Sequence, residues 1–253
     1  MTTALLVRHG RTTANSAGVL AGWTEGVSLD ETGQEQVRAL AKRLAGVPLA
    51  AVVASPLQRC QETAELLLQG RDGAVVPCHD DERVGEVRYG DWSGKELKKL
   101  AKDPLWKVVQ GHPSAMTFPG DGGESMTAMA TRAVTAVRDW NARLGEDAVY
   151  VVVSHGDVIK AILADALGMH LDQFQRIVVD PASVSVVTYT PLRPFVVRAN
   201  DMGGDFSFLV PKKGRGRARG RTGARTAKTA IRTASSDADV GGGSGTWTPG
   251  ATT

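Results

Sequence analysis

The chain has 253 residues, 42% of them hydrophobic, which is enough for one sizeable buried core with residues to spare. Its two cysteines, Cys60 and Cys78, lie far apart and outside any metal-ligand pattern, which argues against a disulfide framework and a zinc site. The net charge of +3 is unevenly spread: nine of the 30 Lys and Arg, but only two of the 27 Asp and Glu, lie from Pro211 onward, so the body is net acidic and the end net basic.

No apolar run reaches the length of about 18 residues that a membrane-spanning helix needs. The longest candidates, such as Val149 to Val153, are strand-sized. The start, Met1-Thr2-Thr3, leads into a strand pattern with neither a basic leader nor a small-residue cleavage site. A cytoplasmic protein is the expectation.

Ala4 to Val7 predicts a short, fully buried strand, which breaks off into Arg8-His9-Gly10. Gly10 allows a sharp turn and a close approach to a ligand. After a Gly-punctuated loop around Trp23, Leu29-Asp30-Glu31-Thr32-Gly33 leads into a helix with apolar Val37, Leu40, Ala41 and Leu44, stopped by Gly46-Val47-Pro48. A second buried strand, Ala50 to Ala54, ends at Ser55-Pro56, where serine as N-cap and proline as first helical residue start a helix that carries Arg59 and runs to about Gln69. Ala74 to Cys78 reads as a third strand, and the stretch from Asp80 to Gly94 is too rich in glycine and mixed charge for a regular element.

Short helices are expected from Ser93 to Lys102 and around Trp106. The turn-rich loop from Pro119 to Ser125 opens a long helix through Met129, Val134, Val137 and Leu144. A continuous apolar strand, Ala148 to Val153, ends in Ser154-His155-Gly156-Asp157, and a helix from Val158 to Leu167 follows. Val184 to Thr190 and Phe195 to Arg198, either side of a Pro191 to Pro194 turn, predict an edge hairpin. Strands alternating with helices give a doubly wound α/β domain. The basic, Gly-rich and Ser/Thr-rich composition after Pro211 offers too little apolar surface to offset ordering entropy, so residues 211–253 are predicted to be a disordered tail and residues 1–210 the domain.

Two strands thus end in the same kind of turn, Arg8-His9-Gly10 and Ser154-His155-Gly156. The second strand delivers Arg59, and the segment after the third delivers Glu86. If the strands are parallel neighbours, these groups converge on one rim, where ligands bind in open α/β sheets. Two histidines, two arginines and a carboxylate suit phosphoryl transfer: guanidinium forks bind phosphate oxygens, one imidazole attacks phosphorus, and a carboxyl of raised pKa protonates the leaving alcohol. Glu82 is the nearest competitor to Glu86. His79, His112 and His170 lack the strand-turn context and read as ordinary histidines, Trp92 as a packing residue, and Asp157 and Lys160 as helix-surface positions.

Leu6-Val7-Arg8-His9-Gly10, Ser55-Pro56-Leu57-Gln58-Arg59 with Thr63-Ala64, Glu86-Val87-Arg88-Tyr89-Gly90 with Trp92 and Gly94, and Ser154-His155-Gly156 occur in the order in which the histidine phosphatase superfamily carries them. The chain resembles this phosphoglycerate mutase-like family over roughly residues 4 to 200. The resemblance implies a three-layer α/β/α sandwich around a mostly parallel sheet. It also implies a phosphohistidine on His9, a phosphate pocket of Arg8, Arg59 and His155 with Asn15 at a position that often contacts the phosphoryl group, Glu86 as proton donor, and no metal or other cofactor.

Cofactor-dependent phosphoglycerate mutases in this family carry a longer insert with adjacent arginines before the second histidine, whereas Gly111 to Glu124 here contains no arginine. The expectation is therefore a metal-independent phosphomonoesterase acting on a small phosphorylated metabolite, with a phosphomutase as runner-up. A rival from another class is a non-catalytic phosphoester-binding module whose basic tail makes weak polyanion or nucleic-acid contacts. The complete set of His9, Glu86 and His155 argues against that rival.

Overall fold

The structure, a computed structural model, describes residues 1–71, 75–204 and 240–241. In chain order the regular elements are β1 (Thr2–Arg8), α1 (Thr13–Ala17), α2 (Glu31–Leu44), β2 (Ala51–Ala54), α3 (Gln58–Leu68), β3 (Cys78–Asp80), α4 (Leu97–Leu100), α5 (Pro104–Gly111), α6 (Met126–Leu144), β4 (Val149–Ser154), α7 (Gly156–Ala166), β5 (Val184–Tyr189) and β6 (Pro194–Asp201). The strands form one six-stranded sheet in the order β3-β2-β4-β1-β5-β6. β1 to β4 run parallel, while β5 pairs antiparallel with β1 and carries β6 on the edge. This is the expected mostly parallel α/β/α sandwich with its edge hairpin.

The apolar runs are buried because both faces of the sheet are covered, as parallel sheets require. On one face Leu5, Val7, Val52, Ala54, Val151 and Val153 pack with Val37 and Leu40 of α2 and Cys60, Ala64 and Leu67 of α3. The alternate residues Ala4, Leu6, Ala51, Val53, Tyr150 and Val152 face α6 and α7 through Met129, Ala133, Val137, Ile159 and Ile162. α7 is buried nearly all round, which is why Asp157 and Lys160, expected on its surface, are 0% and 3% exposed.

Several boundaries differ from expectation: β1 starts at Thr2, α1 is unexpected, the helix expected from Ser93 to Lys102 is reduced to α4, and β6 spans Pro194–Asp201. β3 forms at Cys78–Asp80 rather than from Ala74, because register with Val52–Ala54 decides pairing at an edge; Val75 is 94% exposed, and Ala74 lies outside the described residues. α3 starts with Leu57 at its cap and no side-chain cap bond. The Ser55 hydroxyl, expected to cap it, accepts the Leu57 N–H at 3.4 Å and also lies 2.8 Å from His155 Nε2. The prediction of disorder for the tail falls outside the described residues except at Val240 and Gly241. Val240 is buried in the core on the α6–α7 face, and the Gly241 N–H donates to Asp157 Oδ2 at 3.0 Å.

The turn after β1 is seated on the first turn of α2. Gly33 approaches it so closely that a Cβ there would stand 2.0 Å from the Arg11 carbonyl oxygen, and one on Gly10 would stand 2.6 Å from that of Gly33. Helix propensity alone favours alanine over glycine at Gly33 by about 1 kcal/mol. Overpacking here outweighs that gain: Gly33→Ala is expected to destabilise the fold by about 1–3 kcal/mol in urea unfolding. A stabilised variant would show that the turn is not pressed onto the helix.

Candidate active site

The site starts from strand register. β1 and β4 pair with Arg8 opposite Ser154, so His9 and His155 leave the sheet side by side. The His9 N–H donates to Ser154 O at 3.0 Å, and the two imidazole centroids lie 5.3 Å apart with planes inclined by 60°. β2 is the other neighbour of β4 and delivers Arg59 through the opening turn of α3. Thr63, one turn further, accepts the Gly10 N–H at 3.2 Å and so ties α3 to the His9 turn. Glu86 follows β3 in an irregular segment, and its carboxyl Oε2 reaches 3.8 Å from His155 Nδ1. Arg8, His9, Arg59, Glu86 and His155 are all buried, at 3% exposure or less. The five groups expected from separate stretches of sequence therefore stand together.

Hydrogen bonds assign the tautomers. His9 Nδ1 lies 2.7 Å from the Gly10 carbonyl oxygen, which only accepts, so the ring proton sits on Nδ1 and the lone pair on Nε2. Arg59 Nη2 donates to Gly22 O at 2.9 Å and to His155 Nδ1 at 3.2 Å. A guanidinium has no acceptor, so His155 Nδ1 carries its lone pair, and its Nε2–H points at Ser55 Oγ. Arg8 Nη1 donates to Val179 O at 2.8 Å, which fixes the second guanidinium.

Burial, then the charges of Arg59 and Arg8, hold His9 well below the usual imidazole range; its bond to Gly10 opposes this. Burial and Arg59 likewise depress His155. The carboxyl is displaced the other way: burial, and next the charge of Asp157, push Glu86 up to about 7, against the pull of Arg59 and Arg8. Two neutral imidazoles thus face a carboxyl that keeps its proton up to near neutral pH. Beside them, Cys60 Sγ lies 3.5 Å from His155 Nε2, and burial pushes its thiol up to about 12.

The expected residues are not all placed alike. Asn15 has a local task, its Oδ1 accepting from Thr12 N at 3.1 Å and Thr12 Oγ1 at 2.9 Å in the capping box of α1. Trp92 is a packing residue, 1% exposed and stacked on Trp106. Glu82, the competitor, is exposed. Sequence reasoning missed Tyr89 as a partner of Asp157, whose Oδ2 accepts its hydroxyl at 3.0 Å. It also missed Trp23, whose indole N–H donates to Glu86 O at 2.6 Å. Among the described residues no three His, Cys, Asp or Glu side chains are placed to hold a metal ion, and no helix is long and apolar enough to cross a membrane.

Comparison with known proteins identifies the family of the chain and relatives of its fold. The profile of the histidine phosphatase superfamily (branch 1) matches residues 4–202. The chain is 29% identical over 177 residues to the 2,3-bisphosphoglycerate-dependent phosphoglycerate mutase 2 of Gloeobacter violaceus, covering 70% of this chain and 80% of that protein. It is 32% identical over 177 residues to the glucosyl-3-phosphoglycerate phosphatase of Mycolicibacterium vanbaalenii, covering 67% of this chain and 76% of the relative. The solved structure of Bacillus stearothermophilus YhfR superposes with a TM-score of 0.72 at 30% identity, over 79% of this chain and 98% of that one.

The displaced carboxyl has a signature in stability. Its folded pKa of about 7 lies above the ordinary 4.5, so its contribution is present in full below pH 4.5 and is lost as pH rises through about 7. Glu86→Gln cannot ionise and escapes this loss. Its melting temperature is expected to gain on the wild type progressively between pH 4.5 and 8, whereas a constant difference would show that burial does not hold the wild-type carboxyl protonated.

Proposed function

The chain belongs to the histidine phosphatase superfamily, and on that premise we propose that it is a phosphomonoesterase that hydrolyses a small phosphorylated metabolite through a phosphohistidine on His9. The observation that carries this reading is the His9 tautomer. With Nδ1–H held by Gly10 O and the ring kept neutral by burial and two guanidiniums, Nε2 is a nucleophile at neutral pH inside a pocket built for a dianion.

A phosphate monoester enters with Arg8, Arg59 and His155 around its oxygens, while Asn15 belongs to the capping box of α1. His9 Nε2 forms a bond to phosphorus as the ester P–O bond breaks, and the Glu86 proton passes to the leaving alkoxide oxygen. Glu86, now a carboxylate, takes a proton from water as that water attacks the phosphohistidine. Inorganic phosphate leaves, and neutral His9 and protonated Glu86 are restored. The guanidiniums neutralise charge on the equatorial oxygens in both steps. The approaching dianion offsets the lowering of His155 and adds to the raising of Glu86, so binding primes both as donors. No metal ion takes part in this scheme. We take residues 1–210 as the catalytic domain and 211–253 as an appendage that meets it at Val240, buried in the core, and Gly241, bonded to Asp157.

Hydrolysis rather than mutase chemistry is favoured by the segment before α6. Residues 111–124 hold no arginine, and their large side chains Met116 and Phe118 are buried, Phe118 edge-on to Tyr89 at 4.9 Å. Nothing there is suited to gripping a sugar-acid carboxylate so that it can take the phosphoryl group back. The similarity to a phosphoglycerate mutase keeps transfer to an acceptor hydroxyl as the second reading.

His9→Ala is expected to lower phosphate release from a panel of sugar phosphates, phosphoglycerates, nucleotides and an aryl phosphate by at least about 10⁴-fold, with the fold intact by circular dichroism. Residual turnover near the wild-type rate would overturn the covalent route, and a stable labelled His9 without phosphate release in the wild type would select the mutase reading. Asp157→Asn removes the charge that raises Glu86 after burial does. The alkaline fall in phosphoenzyme formation is therefore expected at lower pH than in the wild type. A fall at unchanged pH would separate Asp157 from Glu86.

A further inference from the structure

We propose that Arg132 is the positioning residue of the proton donor, its guanidinium clamping the irregular backbone that carries Glu86. This inference rests on the role of Glu86 proposed above. Glu86 is the member of the site that no strand end or helix turn supports, since it lies between single-turn 3₁₀ helices at Glu82–Val84 and Gly90–Trp92. A carboxyl that must reach a leaving oxygen within hydrogen-bond distance needs its main chain held by something else.

Arg132 does this from α6. Nη1 donates to Arg83 O and Gly85 O, both at 2.8 Å, and Nη2 donates to Glu86 O at 2.9 Å. The remaining donors grip Glu124, Nε to Oε1 at 2.6 Å and Nη2 to Oε2 at 2.8 Å. All five N–H groups of the fork are thus used, on three successive-turn carbonyls and one carboxylate. Glu124 in turn accepts the Arg88 N–H at 3.2 Å, so the same ion pair also holds the downstream side of the Glu86 segment. The base of the clamp is rigid, because Met129, Ala133 and Ala136 bury the neighbouring face of α6.

Trp23 adds a second hold on the same backbone. Its indole N–H donates to the same Glu86 carbonyl oxygen, and a Cβ on Gly85 would stand 2.7 Å from its ring, so the ring lies against the backbone there. Arg88 stacks over that ring at 4.0 Å. A lysine at position 132 would keep the charge, but three donors on one nitrogen cannot span three carbonyls and a carboxylate. The charge of Arg132 also contributes to depressing His155, which places it within electrostatic reach of the chemistry.

Proton donation matters most when the leaving group is a poor one, and that separates positioning from general structural support. Phosphoenzyme formation is measured in single turnover with a simple alkyl phosphate and with 2,4-dinitrophenyl phosphate, whose leaving group departs as an anion. For Arg132→Ala and Arg132→Lys the rate with the alkyl phosphate is expected to fall by about 10- to 100-fold, as small misplacements of a reacting group do. The rate with the dinitrophenyl ester should change by less than about threefold, and KM little for either. Trp23→Phe, which removes one donor to the same carbonyl, should show the same pattern at smaller amplitude. It keeps the test decisive if the Arg132 variants unfold. Equal losses with both esters, or none with either, would overturn the inference. Glu86→Ala run alongside must itself lose activity selectively with the alkyl phosphate. If it does not, the assigned role of Glu86 fails, and the inference with it. If it does and the Arg132 and Trp23 variants do not, the inference alone fails.

Discussion

Arg8 and Arg59 cannot shed their protons, and the fold buries both to within 2% of full enclosure. Most other features of the site follow from that constraint. Burial first, and then the charge of these two cations, hold His9 and His155 neutral rather than as imidazolium ions. Neutral acceptors must then be found for the guanidinium hydrogens. Main-chain carbonyls of Val179 and Gly22, and the lone pair of His155, supply them. The Glu86 carboxyl would be the natural counter-ion, yet burial and Asp157 raise its pKa to about 7, so near neutral pH it offsets the guanidinium charge only in part. The cations are placed for the ligand, at a cost to the empty fold.

Holding such a pocket open is a task for backbone geometry. Parallel pairing of β1 with β4 sets both histidines at the same height, and a slip of one residue would send one of them to the opposite face. α2 seats the His9 turn through Gly33, and Ser154, immediately before the second histidine, donates its hydroxyl to Val84 O at 2.6 Å, reaching across to the segment that leads to Glu86. Each catalytic candidate is thus fixed by a main-chain contact independent of its own side chain. The side chains are preorganised and little rearrangement is left for the reaction itself.

Much of this was legible in the residues. The buried runs of β1, β2 and β4 declare themselves because a strand covered on both faces shows no alternation, and the repeated His-Gly turn at two of their ends points to a shared rim. What escaped was contact between elements far apart in the chain. Ser55 is a good N-cap by local rules, and its hydroxyl does accept the Leu57 N–H at 3.4 Å, but its shorter contact, 2.8 Å, is to His155, 100 residues away. Asp157 and Lys160 carry charges that normally mark a solvated face, but α7 is packed on almost every side. β3 has its strand character conferred by the neighbour it pairs with, since Cys78, His79 and Asp80 offer no pattern of their own. Arg132 looks like any other helix arginine until its five hydrogen bonds are traced.

Cys60 shows what the same burial does to sulfur. Its Sγ lies 3.7 Å from the Ser154 carbonyl oxygen and 3.5 Å from His155, a position where a thiolate would compete as a nucleophile and invite oxidation. With the thiol pushed up to about 12, the anion is virtually absent at neutral pH. Peroxides react with thiolates rather than enclosed thiols, so burial and the raised pKa both work against oxidation of this sulfur. Oxidative stress that would disable a cysteine-dependent phosphatase leaves this pocket without a reactive sulfur to attack.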